Sequence, residues 1–178
     1  MLALALLAAP SSFASNGWAQ TAGHGAQGHG HDMARMPGLR GVNATAQESA
    51  ELAVMFQNFH LITRTVDALP NGIRTVTHSN HPEVMDVLVS HVAGMIDRVE
   101  RGDDPKIVIQ SPTLAIFFDH PEQIQSTVDV TPGGVVVVQT SDNPQMVEAL
   151  HLHAAEVTAM ADRGMHAVHE MMMQRVHN

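Results

Sequence analysis

Two stretches of the chain repeat apolar positions at helical spacing. Beyond Pro82, the positions i, i+4, i+7 and i+11 hold Val84, Leu88, His91 and Met95; beyond Pro144 they hold Met146, Leu150, His153 and Val157. Such a stripe predicts a helix with one face on a core. In each copy a small polar residue, Ser79 or Ser141, precedes the proline, and Gly102 or Gly164 follows the last turn. Proline is tolerated in a first turn, where its missing N–H costs nothing, and glycine suits a helix C-terminus.

Ahead of each long helix lies a hairpin signature. Thr65-Val66-Asp67 runs into Pro70-Asn71-Gly72, and Thr127-Val128-Asp129 into Pro132-Gly133-Gly134. Asn and Gly accept the backbone angles that a tight turn demands, so each turn joins two strands. The second strands fall at Ile73–Thr77 and Val135–Gln139. Shorter helical stretches, over about 46–58 and 111–119, precede the hairpins.

Both sets of features belong to one duplication. Shifted by 62 residues, Ser49–Gly102 aligns on Ser111–Gly164 without a gap, with 18 identities over 54 positions. Each copy reads α-β-β-α. Two hairpins pairing side by side make a four-stranded antiparallel sheet with both long helices on one face, an α+β fold with a pseudo-twofold axis. Equivalent residues of the long helices then become candidates to face one another. The domain is expected over 45–169, followed by a His/Met-rich tail over 170–178.

The N-terminal segments differ in kind. Met1–Ala9 is an apolar run ending at Pro10, the form of a signal-peptide core, with cleavage expected at Ala14 or Ala19. It is too short to span a bilayer. Export to a periplasm is therefore expected, with residues 1–19 as leader and without stable membrane insertion. Residues 20–44 include a Gly/His tract with His24, His29 and His31, read as a flexible linker able to wrap a borderline-soft metal ion.

Composition narrows the chemistry. Nine basic residues against 18 acidic, with no basic cluster, leave no footprint for a nucleic-acid backbone. There is no cysteine among 178 residues, so a metal would be held by the 13 His, the 12 Met, carboxylates or backbone. His91 and His153 occupy the same place in both stripes, and Met95 lies one turn beyond His91. A buried imidazole needs a partner on its nitrogens, a hydrogen bond or a metal. This set suits copper, through imidazole and thioether donors, or haem iron, through axial ligands. His60, at the start of the first hairpin, is a possible third ligand; Glu122 is its counterpart. Core histidines that only pack and titrate remain the plain alternative.

The steps Thr77 to His91 and Thr140 to His153, a Thr/Ser-x-x-Pro motif before a His-bearing helix, together with Ser111-Pro112-Thr113-Leu114 and Arg163-Gly164-Met165, resemble a group of small exported bacterial proteins of unassigned function. The resemblance implies export and the domain, and carries no activity. His78 and His81 depart from it.

No serine-hydrolase elbow, zinc-protease helix, phosphate loop or cysteine nucleophile occurs. The expectation is a periplasmic metal-binding or carrier protein using copper, with a haem protein or a non-catalytic partner-binding domain as alternatives. The free edge of the sheet would also allow a protein partner or a homodimer.

Overall fold

The computed structural model describes residues 36–177, and the expected leader and the Gly/His tract with His24, His29 and His31 lie outside these residues. The fold is α+β. Its elements are α1 (Ala46–Gln57), β1 (Ile62–Leu69), β2 (Gly72–Ser79), α2 (Pro82–Glu100), α3 (Leu114–Asp119), β3 (Gln125–Thr131), β4 (Gly134–Thr140), α4 (Pro144–Arg163) and α5 (Met165–His177). The strands form one antiparallel sheet in the order β1-β2-β4-β3. The order of elements repeats the αββα unit expected from the sequence, with α5 added at the end.

Strand pairing places the pseudo-twofold axis. β2 and β4 pair so that Thr75 lies opposite Val137, and Val76 opposite Val136. Side chains of one sheet face, Ile73, Thr75, Thr77, Val135, Val137 and Gln139, are buried beneath the helices. Period-2 alternation puts these on a single face because successive residues of a strand point to opposite sides.

The two copies interlock. Helix α4 packs across β1 and β2, the hairpin of the first copy, while α2 packs across β2, β4 and β3. Each long helix thus buries its stripe partly on the other copy's strands, and neither copy has a core by itself. Val84 and Leu88 of α2, and Met146 and Leu150 of α4, are almost wholly buried, as the helical spacing predicts.

Local chemistry fixes the helix starts. The caps are His81 and Asn143, not the serines; Ser79 Oγ and Ser141 Oγ each accept the backbone N–H of the cap residue at 3.1 Å. The serines hold the turn one step ahead of the helix, and Asn143 itself accepts from Gln145 N at 2.9 Å. Gly102 and Gly164 close the helices with φ of 64° and 56°, a left-handed conformation that glycine adopts without penalty.

Helix α1 is held by a capping box between Thr45 and Glu48. Glu48 also takes the buried guanidinium of Arg98 from α2, which binds Asp103 at 2.7 Å and the Asn43 carbonyl at 2.9 Å. This network locks α1 against α2.

Residues 36–44, read from the sequence as linker, join the domain. Leu39 is fully buried in a second apolar cluster with Ala53, Ile107, Ile109 and Val168, and Gly41 bridges Ile107. Apolar Leu39 has partners only once the segment after α2 folds back beside it. The C-terminal stretch likewise docks as a helix, with Ala167 and Val168 buried. No helix among the described residues is long and apolar enough to cross a membrane.

Candidate functional site

A cavity of about 250 Å³ lies where sheet, α1, α2 and α4 meet, open to solvent on one side. It sits on the pseudo-twofold axis, since Thr75 and Val137 both line it. The two long helices make few close backbone approaches to each other, and the space between them is this cavity. Its walls are mostly apolar. His91 and Met95 enter from α2, His153 and Val157 from α4, and Arg64 from β1.

The hydrogen bonds of His153 fix its tautomer. Ser111 Oγ gives its one proton to Glu156 Oε2 in a short contact and stands 2.9 Å from His153 Nδ1. With that proton committed to the carboxylate, the hydroxyl can only accept from the ring, so Nδ1 carries the hydrogen and Nε2 carries the lone pair. Glu156 is fixed in turn by Thr113 Oγ1 at 3.0 Å. Phe117 meets the ring edge-on, with centroids 5.2 Å apart. Burial, and then the nearby charge of Arg64, push the His153 pKa down to about 4. The imidazole is therefore neutral near pH 7 and presents an unprotonated Nε2 without a protein partner among the described residues.

His91 stands in the equivalent place with a different neighbour. Its Nδ1 lies 3.7 Å from Glu51 Oε2 on α1, too far for a hydrogen bond but within ion-pair range when the ring is charged. Glu51 also accepts from Ser90 Oγ at 2.6 Å and Gln47 Nε2 at 2.9 Å. His91, opposed by burial and aided by Ser90 and Gln47, holds the Glu51 carboxyl at about 2.

The carboxylates come from opposite helices in the two copies. Glu51 occupies the position of Thr113, and Glu156 the position of Gly94. In the first copy the short helix supplies the acid and the long helix has glycine; in the second the long helix supplies it and the short segment has threonine. Either way one acid is directed at the Nδ1 side of the histidine, directly or through Ser111.

Among the described residues Arg64 is the one arginine or lysine that lines the cavity. Its Nη1 donates to Thr77 Oγ1 at 2.8 Å, and its Nε is shielded without a partner. Burial lowers its pKa to about 10. Among the described residues no carboxylate pairs with it.

Of the residues singled out in the sequence, the fold brings His91, Met95 and His153 to one cavity. It does not bring His60, which is exposed in the turn before β1 and packs edge-on against Phe59. The turn carries the side chain away from the cavity that β1 enters two residues later. Glu51, Arg64, Ser111 and Glu156 escaped the sequence reading. Arg64 is detectable as the inward position of β1, between Ile62 and Val66; the acids are not, because they sit at unmatched places in the repeats. His151, outside the cavity, ties α4 to the first hairpin: its Nε2 lies 2.8 Å from the Gly72 carbonyl at the β1–β2 turn. Among the described residues no group of three or more His, Asp or Glu is arranged to hold a metal ion. No protein-family model matches the chain, and neither the curated proteins nor the solved structures contain a significant match.

Proposed function

We propose that the protein is a non-catalytic carrier that holds a metal-centred, largely apolar ligand, haem, in this cavity, with His91 and His153 as the iron ligands. One observation carries the reading: two repeat-equivalent imidazoles line a single apolar cavity, His91 with Nδ1 facing Glu51 and His153 with Nδ1 on Ser111 and through it Glu156, and neither Nε2 has a protein partner among the described residues. At His153 the hydrogen-bonded Nδ1 orients the imidazole, the usual support behind a metal-bound histidine, while at His91 the Glu51 carboxylate faces Nδ1 at ion-pair distance. The cavity, at about 250 Å³, is far larger than a bare ion needs but smaller than a whole macrocycle; its apolar wall, including Met55, Phe56, Phe59 and Ile62, would take the inner part of one, with the rest standing in the open mouth.

A copper site remains the second reading, favoured by Met95, which lines the same cavity one turn from His91 and adds a soft donor to two imidazoles. Location in a periplasm rests on the apolar run Met1–Ala9, read as a leader.

The test is a titration of untagged protein with haemin and separately with Cu(I), followed by visible absorption and metal analysis, for wild type, His91→Ala and His153→Ala. A Soret shift saturating at one equivalent in wild type and lost in both variants supports haem. Stoichiometric copper without a Soret shift moves the assignment to the copper site. Uptake of either that ignores both substitutions removes the cavity histidines from the function.

A further inference from the structure

Resting on the cavity reading above, we propose that the ligand carries a carboxylate at one end and that Arg64 is its counter-charge. A guanidinium has five N–H donors and cannot shed its charge under ordinary conditions, so placing it at an apolar wall without an acid is costly. The described structure gives Arg64 a single side-chain partner, the neutral Thr77 hydroxyl. The two carboxylates nearest the cavity histidines are already committed, Glu51 to Ser90, Gln47 and His91, and Glu156 to Ser111 and Thr113. An anion arriving with the ligand supplies what the protein withholds.

The repeat shows that this charge is specific to one end. Thr77 corresponds to Gln139 and Arg64 to Ser126 under the shift of 62. In the second copy Gln139 Nε2 donates to Ser126 Oγ at 3.3 Å, a neutral pair where the first copy has a cation on a hydroxyl. The cavity lies on the pseudo-twofold axis, yet its one charged wall belongs to the first copy. A ligand with an apolar body and one acidic edge therefore enters in a single orientation, its acid toward β1. Arg64 matches a carboxylate because its planar fork offers two parallel donors.

Four probes test this on the full chain: haemin, its dimethyl ester, octanoate and octanol, each against wild type and Arg64→Met. Methionine fills similar space without charge, and a melting curve for the ligand-free variant confirms folding. The expected result is that wild type prefers each acid over its uncharged analogue by at least about tenfold, and that Arg64→Met abolishes both preferences. Equal binding of acid and uncharged analogue in wild type, or a preference that survives in the variant, overturns the proposal. If haemin gives no Soret shift while octanoate binds over octanol only when Arg64 is present, haem falls and the carboxylate assignment stands. If haemin and its ester bind wild type and variant alike, haem stands and the role of Arg64 falls. Failure of all four probes to bind overturns both.

Discussion

Thr75 pairs in register with Val137, the residue that corresponds to it in the second copy. A residue paired with its own counterpart lies on the symmetry axis, so the axis runs through the middle of the sheet beneath the cavity. Side chains that the duplication made equivalent, His91 and His153, therefore reach the cavity from opposite sides. The site is a product of the interlocked pair of copies, and half the chain does not contain it.

Ser111→Ala should uncouple His153 from Glu156. The ring loses the acceptor that fixes its Nδ1 hydrogen and the carboxylate loses a donor, a cost of about 1–3 kcal/mol for buried groups left unpaired. Affinity for haemin or copper should drop by roughly 10–100-fold, as when the support behind a metal-bound histidine is removed. Thermal melting and a binding titration check the two effects; unchanged affinity would show that the relay only packs.

The ligand-free protein should lose stability on acidification in two overlapping stages. His153 has a folded pKa of about 4 against an ordinary value of 6.5, so the unfolded chain takes up its proton first and stability falls as the pH drops from 6.5 to 4. Its groups of contact are Ser111, Glu156 and the charge of Arg64. The size of this stage is up to about 3 kcal/mol. Glu51 has a folded pKa of about 2 against 4.5, so its contribution is present above pH 4.5 and is lost as pH falls toward 2. Denaturant melts at pH 7, 5 and 3 should show both stages in wild type and a flattened upper one in His153→Gln.

Moving the acid of the first copy to its position in the second should be tolerated. Glu51→Thr strips Ser90 and Gln47 of their shared acceptor and His91 of the charge facing it, and should lower the melting temperature. Adding Gly94→Glu should recover most of the loss, since a side chain starting at Gly94 meets open space and Ser49 stands where Ser111 does in the second copy. Gly94→Glu alone should gain little, because two carboxylates then share one histidine and the repulsion offsets the better helix propensity. The double-mutant cycle measures the coupling. Strict additivity of the two changes would show that the acids act independently of His91.

Gly72→Ala should be among the most damaging single-methyl changes in the chain. Gly72 has φ of 158°, and a Cβ there would run into the backbone of Gln139 and Thr140 on the neighbouring strand. Rigid backbone cannot yield as a flexible side chain can, so a loss above about 3 kcal/mol is expected. Circular dichroism melts decide it, and a variant melting within a few degrees of wild type would refute the close approach.

The fold was largely legible in the sequence. Repetition of turn, proline and stripe at a fixed shift defined the αββα unit, because hairpin turns and helix ends depend on local backbone chemistry that a few residues express. The stripe also marked His91, Met95 and His153 as core-facing, since a helical period decides which side chains share a face. Leu39 shows where that reasoning stops: a lone leucine in a Gly-rich segment has no period, and only the return of Ile107 and Ile109 beside it makes it core.

What the tertiary structure alone decided is which long-range neighbours complete each histidine. Ser111 and His153 stand 42 residues apart, and Glu51 and His91 are joined only by the packing of α1 on α2. No periodicity records such pairings, and the displacement of the acids between copies hides them from the repeat as well. That no acid among the described residues stands beside Arg64 is likewise a fact of three-dimensional arrangement: strand alternation points the side chain inward, and the assembled walls offer it only the Thr77 hydroxyl.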